Sequence, residues 1–404
     1  MTVPDEDNQF DNLARKFCWI RRILADDAPG FVFFGGELDP ADFGLSGYEH
    51  AVSLSGKGTG TGEAFTACVG EGIEHLSRLE WGDEKLLRGT SRTVGHGLDE
   101  ASLADIVRLS GYDGGPETPK LDWMPAVRLS DGAPVRVPAV ICIRRPASLG
   151  AVPIPSAIST GCAAGPTLEV ATLAALLEVI ERDAVAMWWM GGRRGSALGL
   201  NGLARTGAAE LLRQLRQGDQ SRPTWLLNLT SDVGIPCVAA LSATAEGRGF
   251  ACGTAARLHA ADAIRAALLE LCQSELGHHL VAAKRSVRGD QALNESDRLK
   301  LDRGRNFDAR SCDLLLPCGF PEEPTDTEPA ESAEAIRTIV EGLRRIGVEP
   351  LLVDLTRPAL PAPAARVIAP GLQPFPSSLM TDRLIRTTAN VGTRAAKPPG
   401  MPLF

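Results

Sequence analysis

The segment of residues 159–189 constrains this chain most strongly, because it places charged residues inside an otherwise apolar helix. Small residues and glycines open the segment, and Thr167 is a suitable N-cap for a helix that continues to the segment's end. Apolar residues occupy nearly every face of this helix, which predicts that it is buried. Glu178 and Glu181 nevertheless lie one turn apart on the same face, with Arg182 beside them.

Two interpretations account for Glu178 and Glu181 in a buried helix. Neighbouring carboxylates in a protein interior are destabilising unless a cation compensates their charge. Arg182 would supply that cation in a buried ion-pair cluster. Alternatively, the carboxylates bind Mg²⁺, a hard cation that takes oxygen ligands and usually binds together with phosphate groups. This helix alone leaves both interpretations open.

Two further helices carry acidic residues in the same way. The helix predicted at residues 64–79 contains Glu71 and Glu74 one turn apart, and its sequence E-G-I-E-H is similar to E-V-I-E-R of the central helix. The helix predicted at residues 261–276 places Glu270 among alanine, leucine and cysteine. Three apolar helices that each carry an inward-facing acid indicate one shared site.

A glycine-rich segment precedes the first of these helices. Residues 53–64 read S-L-S-G-K-G-T-G-T-G-E-A, which predicts a loop whose backbone N–H groups could surround a phosphate. The segment is not a P-loop, because Lys57 is followed by Gly58 and the glycine required five residues before the G-K pair is missing. Lys57 is a candidate phosphate contact.

The composition argues against several classes of protein. The 404 residues are 44% hydrophobic and carry a net charge of −8, which disfavours a general nucleic-acid or membrane-surface binder. No apolar run approaches the ~18 residues of a membrane span. The acidic, polar start shows no secretory signal, which predicts a cytoplasmic protein. Nine singly spaced cysteines without a C-x-x-C pair argue against a structural zinc site and a disulfide framework.

The order of segments predicts an α+β fold with mixed β-sheets and long buried helices. We expect an N-terminal accessory segment at 1–50 and a catalytic domain at 51–404. Within that domain, 281–332 is predicted as a loop or lid insertion, and 333–404 as a closing α/β unit with a proline-rich tail. Further helices are predicted near 13–24, 100–109 and 333–346. Strands are predicted at 123–129, 135–143, 226–229, 236–241, 249–253, 350–354 and 365–369.

A series of motifs in this order resembles the YcaO superfamily, from about Ser53 to the C-terminus. The motifs are S-G-K-G at 55–58, G-E-G-I-E-H at 70–75, S-T-G-C-A-A-G-P-T-L-E at 159–169, L-L-E-V-I-E-R-D-A at 176–184, A-L-L-E-L-C-Q at 267–273, V-D-L-T at 353–356 and V-I-A-P-G-L at 367–372. The resemblance implies a YcaO-like fold in which long buried helices form an ATP site without a P-loop. Glutamates of that site hold the phosphates of ATP through Mg²⁺.

The resemblance also assigns roles to individual residues. The first acidic pair matches Glu71 and Glu74, and the late acid matches Glu270. The central cluster matches Glu178, Glu181 and Arg182. These six residues and Lys57 are therefore expected to bind the cofactor, and the expected Mg²⁺ ligands are Glu71, Glu74, Glu178 and Glu181. No residue is singled out as a catalytic acid, base or nucleophile.

The chain departs from the family pattern at three positions. Many members have asparagine in place of Pro166, a second glutamate in place of Val170, and arginine in place of Ala266. These changes leave a non-catalytic accessory protein as one alternative. Three short motifs are most similar to those of members encoded beside TfuA-type partners, which are linked to thioamide formation. These motifs are G-P-T, E-R-D-A-V-A-x-W-W and E-L-C-Q.

The family chemistry implied here is ATP-dependent activation of a peptide backbone amide by O-phosphorylation. Thioamide formation is the first expectation. Azoline-forming cyclodehydration on Cys, Ser or Thr is the alternative, although the tail P-P-G-M-P-L-F matches the P-x-P-x-P ending of that branch only in part. A peptide or protein substrate is implied. Because no leader-binding domain is visible before residue 50, we expect a separate TfuA-like or leader-binding partner, and a homodimer is possible because relatives are often dimers.

Overall fold

The computed structural model describes residues 6–112, 118–146, 159–198, 207–219, 221–319, 326, 331–391 and 403. The helices in these residues are α1 (Glu6–Ala14), α2 (Thr61–Ser77), α3 (Glu100–Leu109), α4 (Leu168–Trp189), α5 (Ala208–Arg216), α6 (Ala260–Arg288), α7 (Glu295–Asn306), α8 (Ser332–Arg345) and α9 (Asp382–Val391). The strands are β1 (Trp19–Ile23), β2 (Val32–Leu38), β3 (Val52–Gly58), β4 (Leu87–Gly89), β5 (Leu121–Arg128), β6 (Pro134–Pro138), β7 (Cys162–Ala164), β8 (Ser196–Ala197), β9 (Thr224–Asn228), β10 (Cys237–Ser242), β11 (Ala251–Ala256), β12 (Leu351–Asp354) and β13 (Ala364–Ile368).

The strands form three sheets, and the expected α+β class is confirmed. One sheet has the order β1-β2-β3, a second β11-β10-β9-β8, and a third β4-β5-β12-β13-β7 with β6 also paired to β5. All strand pairs within these sheets are antiparallel, so the mixed parallel and antiparallel sheets that were expected are not found among the described residues. The strands predicted between residues 123 and 369 are present with bounds that differ by at most three residues, except for the strand predicted at 135–143, which ends at Pro138 and is followed by a 3-10 helix at Ala139–Ile141.

Two predictions for the N-terminal region differ from the observed secondary structure. The helix predicted near 13–24 is wrong, because α1 ends at Ala14 and residues 19–23 form β1, which pairs with β2 along its whole length. The loop predicted at Lys57 is also wrong, since β3 pairs with β2 from Val52 to Gly58. A Cβ atom added at Gly56 would lie 2.0 Å from the Ala64 carbonyl oxygen, so this glycine allows α2 to pack closely on the strand.

The N-terminal sheet joins two segments that the sequence analysis separated. Strands β1 and β2 come from residues 1–50, and β2 pairs with β3, which belongs to the segment 51–404. Helix α2 follows β3 directly and packs on β2 and β3. The acidic residues of α2 are thereby placed against the outer strand of this sheet.

Helix α4 lies between the other two sheets. It packs against β7 and β13 of one sheet and against β11 of the other, which explains why nearly all its faces are apolar. Thr167 is its N-cap as predicted, and its side chain accepts a hydrogen bond from the Val170 N–H at 3.2 Å. Trp188 and Trp189 end the helix in the main hydrophobic core, where the Trp188 indole donates to the Leu314 carbonyl oxygen at 2.8 Å.

The segment 281–332 is not the continuous loop that was predicted. Helix α6 continues to Arg288, and α7 begins at a capping box in which the Asn294 side chain and the Asp297 N–H are 2.8 Å apart. Charged residues on these helix surfaces interrupt the apolar period, because one face is exposed to solvent. Most of the acidic tip and most of the proline-rich tail lie outside the described residues. No helix of the described chain is long and apolar enough to cross a membrane.

Candidate functional site

A large cavity lies where α2, β3, α4 and α6 approach one another. Its volume is about 1890 Å³. Four of the predicted glutamates line it together with Lys57, and they come from three helices that are far apart in the chain. These acids are Glu71, Glu74, Glu178 and Glu270. The structure therefore brings together residues that the sequence placed in separate helices.

Polar side chains on β3 and α6 form one wall of the cavity. The Glu71 carboxylate accepts hydrogen bonds from the Ser55 N–H at 2.5 Å and from the Ser55 hydroxyl at 2.9 Å. The Gln273 amide donates to the same hydroxyl at 3.2 Å and accepts from Lys57 Nζ at 2.9 Å. Lys57 Nζ also lies 3.7 Å from the Glu270 carboxylate. Lys57 is thus held in place by α6, and its ammonium group is directed at the acidic wall.

Glu178 is held by the small-residue segment that precedes α4. The Gly161 N–H donates to its Oε2 at 3.1 Å, and Arg182 Nη2 lies 3.3 Å from its Oε1. Gly161 has φ = +80°, and a Cβ atom there would lie 2.5 Å from the Val367 carbonyl oxygen. Only glycine fits this turn without strain, so the small residues before α4 serve to position a carboxylate. Burial raises the pKa of Glu178 above its ordinary value.

Glu74 lies in the cavity wall beside two other acids. Burial, together with the neighbouring charges of Glu178 and Glu71, raises the pKa of Glu74 to about 8. Arg78 opposes this shift, with its Nε 3.7 Å from the Glu74 carboxylate. Burial also raises the pKa of Glu71. The protein's own cations therefore do not fully compensate the negative charge of this wall.

Glu181 lies behind the cavity wall, although it shares a helix face with Glu178. Its carboxylate accepts from the Thr254 hydroxyl at 2.8 Å and from the Ala256 N–H at 3.4 Å, both on β11. Its side chain is 8% exposed, compared with 27% for Glu178. Burial raises the pKa of Glu181 to about 7. Among the described residues that line the cavity, neither Glu181 nor Arg182 is found.

Several residues of the site were not predicted from the sequence. Ser55 and Thr254 hold carboxylates, and the Thr254 N–H donates to Glu270 at 2.8 Å. Arg78 and Arg257 line the cavity as additional cations. Arg78 could have been found from its i, i+4 spacing to Glu74. The role of Thr254 could not, because it depends on how β11 packs on α4 and α6.

Cys162 and His75 carry side chains of types that often take part in catalysis, but neither is in a reactive charged form. Cys162 is buried, and burial raises the pKa of its thiol, which agrees with a structural role. His75 lines the cavity, and burial, with the charges of Arg78 and Arg144, lowers its pKa to about 4. His75 is therefore neutral near pH 7. All nine cysteines are free.

The donor set suits a nucleotide bound with a divalent cation. In the described part of the chain, no three His, Cys, Asp or Glu side chains converge closely enough to hold a metal ion by themselves. Mg²⁺ commonly takes only one or two protein carboxylates, and water and substrate phosphates complete its coordination. Uncompensated carboxylates beside a lysine fit such a shared site.

Comparison with known proteins identifies the family. The sequence model of the family described as YcaO cyclodehydratase, ATP- and Mg²⁺-binding, matches residues 55–373. The chain belongs to the YcaO family. The predicted superfamily and the predicted cofactors ATP and Mg²⁺ are confirmed at the level of this family. A search of curated proteins found no match.

Solved structures show the same YcaO fold. A heterocyclase in complex with substrate and cofactor is 22% identical, with a TM-score of 0.75 over 98% of this chain and 56% of that one. YcaO from Methanopyrus kandleri, bound with AMPPCP and Mg²⁺, is 20% identical, with a TM-score of 0.65 over 98% and 96%. The E. coli microcin synthetase McbBCD complex contains a chain that is 15% identical, with a TM-score of 0.63 over 88% of each chain. The present chain thus spans little more than half of the first of these proteins.

Proposed function

We propose that this YcaO-family chain uses ATP and Mg²⁺ to activate a backbone amide of a peptide by O-phosphorylation. The observation that carries the proposal is the single cavity in which α2, α4 and α6 present Glu71, Glu74, Glu178 and Glu270 beside Lys57. Burial raises the pKa of three of these acids, which favours a ligand that brings positive charge into the cavity. Mg²⁺ bound to a triphosphate has that property.

The residues of the cavity have separable tasks in this proposal. Glu71 and Glu178 present carboxylates whose positions are set by backbone N–H donors, so they are organised before a ligand arrives. Lys57, held by Gln273, supplies a fixed positive charge for phosphate oxygens. Arg182 forms ion pairs with both Glu178 and Glu181, so these two residues help to hold Glu178 in position. Mg²⁺ in this site would neutralise phosphate charge and orient the terminal phosphoryl group.

The proposed reaction converts an amide oxygen into a leaving group. A nucleophile adds to the amide carbonyl carbon, and the resulting oxyanion takes the γ-phosphoryl group of ATP, which releases ADP. Collapse of the tetrahedral adduct then expels the former amide oxygen as phosphate. Sulfide as the nucleophile leads to a thioamide, which we propose as the product because of the motifs shared with TfuA-associated members.

Azoline formation is the second candidate function. In that case a Cys, Ser or Thr side chain of the substrate is the nucleophile and the product is a five-membered ring. The family description as a cyclodehydratase and the similarity to a heterocyclase favour this candidate. The mass of the product separates the two, because thioamide formation exchanges oxygen for sulfur whereas cyclodehydration removes one water.

We also propose that a separate protein delivers the peptide to this chain. The structural similarity to a chain of the microcin synthetase McbBCD complex supports a multi-component arrangement. A TfuA-like or leader-binding protein is the proposed partner, and a homodimer is the proposed state of the chain itself. Sedimentation of the purified chain alone and with the partner would test both proposals.

Calorimetry with Mg²⁺ and ATP tests the proposed function, with Glu178→Gln as the variant and Glu169→Gln as the control. Glu169 is exposed in the first turn of the same helix and does not line the cavity. We expect Mg²⁺-dependent binding of ATP that is weakened in Glu178→Gln and retained in Glu169→Gln. ATP binding that is unchanged in Glu178→Gln would contradict the proposal.

A further inference from the structure

In the part of the chain that the structure describes, four lysine and arginine residues line the cavity, and one of them has no carboxylate partner. Three of its basic residues are ion-paired: Lys57 with Glu270 at 3.7 Å, Arg78 with Glu74 at 3.7 Å and Arg144 with Glu49 at 3.2 Å. Arg257 also lines the cavity, and its side chain forms no ion pair within the described residues.

Arg257 is exposed at the end of β11, next to the acids that this strand holds. Its Nη1 donates to the carbonyl oxygen of Ala256 at 2.7 Å. The Ala256 N–H donates to Glu181, and the Thr254 N–H on the same strand donates to Glu270. Arg257 therefore projects from the strand that anchors two carboxylates, at the acidic end of the cavity.

Helix α6 carries no cation one turn before its cavity-lining acid, Glu270. Residue 266 lies one turn before Glu270 on the same helix face, and it is alanine. The neighbouring Arg265 is already engaged at the start of α2, where its Nη2 donates to Glu63 at 2.6 Å and to the Thr59 hydroxyl at 3.2 Å. Of these two arginines, only Arg257 is available to a ligand in the cavity.

We propose that Arg257 binds the phosphate chain of the nucleotide and compensates for the alanine at position 266. This inference rests on the proposed nucleotide site. A guanidinium is well suited to this role, because its planar donors match phosphate oxygens and it is more weakly hydrated than an ammonium group. Its present acceptor is a neutral carbonyl, which a charged phosphate oxygen would replace with a stronger hydrogen bond.

Calorimetry on Arg257→Ala in the presence of Mg²⁺ tests the proposal, with ATP, ADP and adenosine as separate ligands. We expect the affinity for ATP to fall about tenfold or more, since a charge-assisted hydrogen bond is lost. The affinity for adenosine should not change, and Arg257→Lys should retain part of the ATP affinity. Arg213→Ala is the matched control, because Arg213 is exposed on α5 and pairs only with its own helix.

A second substitution tests the compensation directly. Adding Ala266→Arg to Arg257→Ala places a guanidinium one turn before Glu270, and we expect it to restore at least part of the lost ATP affinity. Thermal unfolding of each variant without nucleotide verifies that the fold is intact.

Each outcome bears on the inference. If Arg257→Ala binds ATP as tightly as the unmodified chain, the inference is wrong while the proposed function stands. An equal loss of ATP and adenosine affinity would assign Arg257 to the fold or to the base, and would also overturn it. If the unmodified chain binds no ATP with Mg²⁺, the proposed function fails together with the inference.

Discussion

The Gly161 N–H donates to Glu178 Oε2 at 3.1 Å, and this contact ties the small-residue segment before α4 to the acidic cavity. The donor comes from a residue with φ = +80°, a conformation that favours glycine. The acceptor lies at the middle of the helix that the segment precedes. The conformation of one glycine therefore sets the position of a carboxylate in the candidate site.

Replacing Gly161 with alanine should destabilise the protein and weaken nucleotide binding together. The new Cβ would lie 2.5 Å from the Val367 carbonyl oxygen, in addition to the strain of positive φ. Gly234→Ala is the matched control, because Gly234 has φ = +81° with no atom within 4 Å of the added Cβ. We expect the control to cost about 1–2 kcal/mol in free energy of unfolding, from the left-handed conformation alone. Gly161→Ala should cost clearly more in urea unfolding, and equal costs would refute the steric argument.

Glu178 and Glu181 should differ in their effect on binding although they share a helix face. Glu178→Gln removes a carboxylate that lines the cavity, and glutamine can still accept from the Gly161 N–H. We expect the affinity for ATP with Mg²⁺ to fall about tenfold or more, as for a lost charged ligand group. Glu181→Gln should affect the free energy of unfolding more than the affinity, because Arg182 would keep a buried charge with one fewer partner. Calorimetry and urea unfolding of both variants check this, and an equal loss of affinity would argue against it.

Between pH 6.5 and about 8, the free chain should become less stable as the pH rises, because His75 is neutral in both states there and Glu74 still binds a proton only in the folded state. The pKa of Glu74 is about 8 in the folded state and 4.5 as an ordinary carboxyl, so the folded state binds more protons between these values. The stabilisation by this proton is present below pH 4.5 and is lost as the pH rises to about 8. Binding of Mg²⁺ with ATP requires ionised carboxylates, so it should strengthen over the same interval. Thermal unfolding with and without Mg²⁺ and ATP measures both trends. In Glu74→Gln, the stability of the free chain should depend less on pH. A midpoint that rises between pH 6.5 and 8 in the free chain would show the sign to be wrong.

Lys57 should contribute to nucleotide binding with little effect on stability. Its ammonium group is partly exposed, and its ion pair with Glu270 is 3.7 Å long, which is worth little to folding. We expect Lys57→Ala to lower the affinity for ATP about tenfold through the loss of a charged contact. Lys85→Ala is the control, because Lys85 is exposed and does not line the cavity. Equal affinities of Lys57→Ala and Lys85→Ala in calorimetry would exclude a phosphate contact by Lys57.

Sequence reasoning was most successful where the argument was local. Thr167 as N-cap and the apolar α4 follow from residue types and helical spacing, and the structure confirms them. It failed where pairing between strands decided the conformation. The run S-G-K-G reads as a loop because glycine and lysine are poor strand formers, but β2 supplies a complete set of partners and α2 requires glycine for close packing.

The sequence by itself determined that three helices carry acidic residues in apolar surroundings, because helical spacing fixes which residues share a face. It could not determine which of those acids reaches the cavity. Glu178 and Glu181 are equivalent in spacing, but of these two only Glu181 accepts hydrogen bonds from β11, whereas the Gly161 turn holds Glu178 in the cavity wall. Arg257 entered the site in the same way, through the position of β11 beside α4 and α6. Contacts between segments distant in the chain decide these matters, and only the tertiary structure contains them.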